Sequence, residues 1–222
     1  MSDILLRGNS MDGGIRVFAA ITTDLVNEAQ RIHKTYPTAT AALGRTLTMS
    51  AIMGAGLKNP DDSVTIQFKG DGPLGNIVAV CNNKSEVRGY VANPYVDIPR
   101  KDNGKLDVGT AVGKGFLSVI RDLGMKEPYI GQVPIVTGEI AEDILFTVTD
   151  GFDMLISNKS VTPKYKCYCS KERMEKALIS IGKTELEDLI REQGSAELTC
   201  QFCDNRYTFD KTELEKLLKE AK

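Results

Sequence analysis

Residues 166–203 read KCYCSKERMEKALISIGKTELEDLIREQGSAELTCQFC, and they hold four of the chain's five cysteines as C-x-C, a thirty-residue spacer and C-x-x-C. In an extended C-x-C, residues i and i+2 face the same side, so Cys167 and Cys169 can turn both sulfurs toward one point. A tight turn at Cys200 and Cys203 converges its two sulfurs in the same way. Four thiolates at about 2.3 Å from a common centre make a tetrahedral Zn²⁺ site, so the spacing predicts one structural Zn²⁺ held by Cys167, Cys169, Cys200 and Cys203. The competing reading is two free or disulfide-bonded dithiols.

The residues around the cysteines outline a small α/β domain over 164–222. Ser170 is placed to cap a helix with apolar positions Met174, Ala177, Leu178 and Ile181 that stops at Gly182. A second helix is expected to open with a capping box from Thr184 to Glu187 and to end at Gly194. SAELTCQFCDNRYTF reads as a hairpin with Cys200 and Cys203 at its turn. A last helix opens at Asp210 with Leu214, Leu217 and Leu218 on one face. A module this small with so few large apolar side chains needs a staple, and bound metal supplies one.

Upstream, residues 1–140 mix helix and strand signals. Leu25, Val26, Ala29 and Ile32 recur at helical spacing, and Leu43, Leu47, Ala51, Ile52 and Met53 mark a second helix that is apolar on more than one side. SVTIQF, NIVAV, EVRGYV, TAVGKGFLSVIRDLG and YIGQVPIVTGEIAEDI have β-branched runs broken by Gly, Pro and Asn. The expected fold class is α+β, a core domain of helices and a largely antiparallel sheet, with a small C-terminal zinc-binding domain. Residues 141–163 read as a shortened hydrophobic linker, with Ile144, Leu145, Phe146, Phe152, Met154, Leu155 and Ile156 lacking a sustained period.

Composition narrows the function classes. A net charge of -2 and a pI near 5.6 argue against a globally basic nucleic-acid binder. From Lys164 to Lys222, nine Lys and three Arg face nine Glu and three Asp, which again leaves no basic surplus. No apolar run reaches the length of a membrane span and the start lacks a secretory pattern, so a cytoplasmic protein with no membrane partner is expected. Gly70, Gly72 and Gly75 match G-x-G-x-x-G, but the next segment, NIVAV, reads as a strand and not a helix, which favours a hairpin turn over a dinucleotide cradle. There is no Walker A motif. His33 stands on a helix with no catalytic partner that can be argued from sequence, and Cys81 reads as a buried core thiol.

KYKCYCSKERMEKALISIGKTELEDLI followed by CQFCDNRYTF resembles the zinc domain of the bacterial redox-regulated heat-shock holdase chaperones, the 33 kDa chaperonin family. The segments DILLRG, TATAALGRTLTMSAIMG, FKGDGPLGNIVAV, GYVANP and PIVTGEIAED are similar to the core of the same family. The chain departs from the family at one place. Where the family continues after TGEIAED with a long stretch that completes the core sheet and forms a helical linker, GEIAED here runs almost at once into ILFTVTDGFDMLIS, as if an internal piece were missing.

The resemblance implies an ATP-independent chaperone that binds unfolded or partly unfolded client proteins under oxidative and heat stress, not an enzyme. It further implies zinc on the four cysteines in the reduced form, disulfides Cys167–Cys169 and Cys200–Cys203 with zinc release in the oxidised form, and a homodimer when active. The alternatives are a zinc-stabilised adaptor for nucleic acid or protein, and a thiol oxidoreductase using Cys200 and Cys203. Losing core strands is expected to leave sheet edges and apolar faces open.

Overall fold

The computed structural model describes residues 2–10, 14–135, 154–156 and 161–221. They divide into two compact units, Met1–Lys166 and Cys167–Lys222.

The first unit is built on a buried helix. Strands β1 (Ile4–Ser10) and β2 (Arg16–Ile21) form an antiparallel pair, and α1 (Thr23–His33) and α2 (Pro37–Gly54) follow. On α2, Ala39, Leu43, Leu47 and Ala51 are buried along one face, and Ala42, Thr46, Ser50 and Gly54 are buried on others, as expected of a helix covered on several sides. It packs over β3 (Ser63–Gly70), β4 (Ile77–Asn82) and β5 (Glu86–Val91). After the short helix α3 (Val108–Val112) come β6 (Gly115–Asp122) and β7 (Tyr129–Ile135). With β9 (Lys164–Tyr165), the six-stranded sheet has the order β7-β6-β3-β4-β5-β9, antiparallel except for its last pair.

GDGPLG is the β3–β4 hairpin turn, and no helix follows it. Its glycines serve close packing: a Cβ at Gly72 would stand 2.4 Å from the Ala111 carbonyl oxygen, so only glycine lets α3 approach this turn. The run TAVGKGFLSVIRDLG, read as strand, is divided. Its first residues close α3, and the strand begins only at Gly115, after Gly113 turns the chain at a φ of 74°.

Two boundaries differ from the sequence reading. Within 141–163, residues 141–153 and 157–160, and with them Ile144, Leu145, Phe146 and Phe152, lie outside the described residues. What is described there pairs with the first unit: β8 (Met154–Ile156) runs antiparallel to β1 in a three-stranded sheet of order β2-β1-β8, and Val161 bridges Leu5. Lys164 and Tyr165, assigned to the small domain by composition, form β9 and pair in parallel with Glu86 and Val87 of β5. Backbone hydrogen bonds to the sheet edge decide their place, and single-sequence patterns do not register such bonds.

The second unit consists of α4 (Lys171–Ser180), α5 (Lys183–Glu192), the hairpin β10 (Ala196–Thr199) and β11 (Arg206–Phe209), and α6 (Lys211–Leu218). The Thr184–Glu187 capping box does not form. The α4–α5 turn is so short that Gly182, at a φ of 102°, follows the end of α4 and is already the N-cap of α5, which leaves Thr184 inside the first turn. The reciprocal box sits instead at α6, where Asp210 accepts from the Glu213 amide and Glu213 accepts from the Asp210 amide. Leu178, Leu186, Phe209, Leu214 and Leu217 form the core.

Candidate metal and redox centre

Cys167 and Cys169 lie on the extended segment that enters α4, whose first turn Ser170 caps by accepting from the Arg173 amide at 3.3 Å. Cys200 and Cys203 occupy the β10–β11 turn. The Cys200 carbonyl accepts from the amides of Cys203 at 3.3 Å and Asp204 at 2.8 Å, and the Cys200 amide donates to the Asn205 carbonyl at 2.8 Å. Asp204 takes a φ of 59°, a left-handed geometry that Asp tolerates better than most side chains. The turn is therefore held by backbone bonds before any metal is considered.

These two segments bring the four sulfurs within 4.8 Å of one another. Across the two motifs, Cys167 stands 3.7 Å from Cys200 and Cys169 3.3 Å from Cys203. Tetrahedral thiolates around Zn²⁺ stand about 3.8 Å apart, while a disulfide requires about 2.05 Å. The cluster thus has the dimensions of a metal cage.

Its electrostatics point the same way. Burial pushes the Cys167 thiol up to about 11 and raises Cys203 further still. At Cys169 burial also works upward, but hydrogen bonds from Tyr207 and the neighbouring thiols outweigh it and bring the group down to about 7. The Tyr207 hydroxyl donates to the Cys169 sulfur at 3.1 Å, and that bond holds the phenol up at about 12. Without a cation the site accommodates one thiolate readily, because further negative charges would repel it. A divalent ion removes that cost, and the donor set fits Zn²⁺. Tyr207 and the Cys169 amide, which bonds the Cys167 sulfur, would then be the groups that orient the ligands.

The remaining sulfur is placed elsewhere. Cys81 is buried in the first unit, and burial pushes its thiol up to about 12. His33 is also buried, with Nε2 2.9 Å from the Gly89 carbonyl and 3.1 Å from the Tyr165 hydroxyl. Sequence reasoning missed Tyr207. Its signal was present, since Tyr207 stands two residues before Phe209 on one face of a strand that follows the Cys200–Cys203 turn.

No helix among the described residues is long and apolar enough to cross a membrane.

Comparison with known proteins gives one consistent result. The profile of the Hsp33 protein family matches residues 3–145 and 142–210. A 33 kDa chaperonin of Clostridium perfringens is 39% identical, with 99% of this chain and 92% of the relative covered. One of Ruminiclostridium cellulolyticum is 36% identical with 99% of each covered. The crystal structure of the 33 kDa chaperonin of Thermotoga maritima superposes with a TM-score of 0.84 at 29% identity, covering 99% of both chains. The first alignment runs over 293 positions against the 222 residues here, 71 more, and the two profile matches meet at 142–145. That is where the sequence runs from GEIAED into ILFTVTDG. The four-sulfur cluster, the fold and these relatives agree: this chain is a member of the Hsp33 family of chaperones, with an internal stretch of the family absent near residue 145.

Proposed function

We propose that the chain is a cytoplasmic, ATP-independent holdase whose four-cysteine cluster is a redox switch, and that it works as a binding protein and not as an enzyme. The observation that carries this reading is the placement of four sulfurs within 4.8 Å in a unit whose apolar core consists of five buried side chains among the described residues. In the reduced form Cys167, Cys169, Cys200 and Cys203 hold one Zn²⁺, which contributes charge neutralisation and folding free energy to the unit.

Peroxide takes two electrons from each pair of zinc-bound thiolates, one S–S bond forms in place of two Zn–S bonds, the peroxide O–O bond breaks, and with two protons from solvent the oxidant leaves as two waters. Pairing within each motif, Cys167 with Cys169 and Cys200 with Cys203, leaves the α4 entry and the hairpin unconnected. The ligand set is then gone. Leu178, Leu186, Phe209, Leu214 and Leu217 lose the frame that buried them and offer apolar surface to unfolding polypeptides. The oxidised protein acts as a dimer.

A specific observation favours a second reading, a zinc-stabilised adaptor. Cys167 stands 3.7 Å from Cys200 and Cys169 3.3 Å from Cys203, across the two motifs, and crossed disulfides would keep the unit folded. Light scattering from a thermally unfolding client separates the two. The holdase suppresses scattering after peroxide treatment, in step with the zinc released, and not while reduced and zinc-loaded. Zinc release without suppression in either state would overturn it.

A further inference from the structure

Each partly exposed sulfur of the cluster has a hydrogen-bond donor against it. The Cys169 amide bonds the Cys167 sulfur and the Asn205 amide bonds that of Cys203, both from the backbone. Cys169 is served by a side chain, the Tyr207 hydroxyl, at 3.1 Å. Cys200, 5% exposed, is shielded by burial.

The Tyr207 ring is held where its hydroxyl can serve. Tyr207 stands opposite Leu198 in the β10–β11 hairpin, and both pack against the core of Leu178, Leu186, Phe209, Leu214 and Leu217. Phe209, two residues on along the same face, is buried and roots that end of the strand. A ring fixed by packing gives up little further rotamer freedom in making the bond, so the donor belongs to the fold.

We propose that Tyr207 is a positioning residue that restrains the switch: by donating its hydroxyl to the Cys169 sulfur it makes that thiolate the poorer nucleophile and slows its attack on peroxide. The inference rests on the metal-bound redox-switch reading above. A sulfur that ligates a cation is a thiolate already, so the donor acts there on nucleophilicity and not on how much thiolate is present. In the attack, the Cys169 sulfur gives a lone pair to one peroxide oxygen, the O–O bond breaks, hydroxide leaves and a sulfenic acid remains. A neighbouring thiolate then displaces hydroxide from that sulfur and closes the S–S bond. The sulfur begins the first step as an anion and ends it neutral, so a hydrogen bond made to the anion weakens along the way and raises the barrier. With roughly half of that charge change complete at the transition state, as is usual for thiolate attack, one charge-assisted bond slows the step by about three- to tenfold.

A limiting amount of iodoacetamide on the full zinc-loaded chain, with each cysteine quantified by peptide mass, reads reactivity sulfur by sulfur. Tyr207→Phe should raise modification at Cys169 relative to Cys203 by about three- to tenfold. Replacing Tyr207 by 3-fluorotyrosine keeps the ring and strengthens the donor, so it should lower the same ratio, and it carries the test if the phenylalanine variant is poorly folded. With hydrogen peroxide, zinc release from the phenylalanine variant should be faster in proportion to the peroxide added. An unchanged ratio in both variants, equal acceleration at all four sulfurs, or release no faster than from the unaltered chain would overturn the role of Tyr207. An unaltered chain that binds no zinc would overturn the metal reading beneath it. The expected shift in ratio with no client protection after oxidation would overturn the holdase reading and leave the role of Tyr207 standing.

Discussion

The two units answer the same demand, a single stable arrangement, by different means. In the first, seventeen buried apolar residues among those described, from three helices and two sheets, form one cluster that includes Leu43, Leu47, Ala51, Val64 and Ile77. In the second, five buried side chains do the same task for three helices and a hairpin. The smaller unit is not carelessly built: Asp210 and Glu213 cap α6 reciprocally, and Lys171 pairs with Glu213 while lying 5.3 Å from the Phe209 ring centre. These are partly exposed interactions of a kind that contributes about 1 kcal/mol or less each. The larger unit therefore stands on burial, and the smaller one on its sulfurs. A fold that depends on one chemical site can be switched by chemistry at that site, whereas the large core cluster contains a single thiol, Cys81, buried and held neutral.

The largest expected effect comes from removing the metal. Structural zinc sites contribute about 10–16 kcal/mol. Chelation of the reduced protein, or Cys200→Ser, should unfold residues 167–222 and leave the first unit intact, visible by NMR as the loss of only the second unit's dispersed amide signals. Loss of both sets would break the contrast between the units.

Equal truncations should then have unequal consequences. Leu214→Ala and Leu47→Ala each delete a fully buried leucine at about 2–5 kcal/mol. In the second unit the loss should weaken zinc affinity more than tenfold in a chelator competition, because metal binding and folding are coupled there. In the first unit it should lower the melting temperature and leave zinc affinity unchanged. Tyr207→Phe deletes the donor to Cys169 and should cost roughly tenfold or more in affinity with an unaltered circular dichroism spectrum, the usual size of an outer-shell effect.

The smallest effect at neutral pH belongs to Cys81. Burial raises its folded pKa from 9.0 to about 12, so the neutral thiol is favoured by the fold and the stability it contributes is fully present below pH 9. It is lost as pH rises from 9 toward 12. Iodoacetamide at pH 8 should modify the four clustered cysteines of metal-free protein and leave Cys81 untouched until the first unit is unfolded.

Much of this was legible in the sequence because it is local. The helical spacing of Leu25, Val26 and Ala29, the turn at GDGPLG and the convergence of Cys167, Cys169, Cys200 and Cys203 each depend on residues close together or on a spacing with one sensible geometry. The misses depended on competition or distance. Thr184 and Glu187 have the pattern of a capping box, but Gly182 starts the helix two residues earlier. Lys164 and Tyr165 have no strand signal of their own and become one only on the β5 edge, where Tyr165 meets His33 across 132 positions of chain. Met154–Ile156 looked like linker because nothing in the segment indicates that its partner is β1. Nor does the spacing of the cysteines reveal that Cys167 lies against Cys200 and Cys169 against Cys203, across the two motifs.

That last point leads to the most direct test. The first of two crossed disulfides, Cys167 to Cys200 and Cys169 to Cys203, would close a loop of more than thirty residues and stabilise the second unit by about 4 kcal/mol in the chain-entropy description, and the other would add less because its ends are already held close. Disulfides within each motif constrain almost nothing and let the unit open. Peptide mass mapping of protein treated with stoichiometric peroxide, with released zinc counted in the same sample, decides between a switch and a staple. The account predicts Cys167–Cys169 and Cys200–Cys203 with one zinc released per chain. Crossed pairs in a unit that stays folded would contradict it.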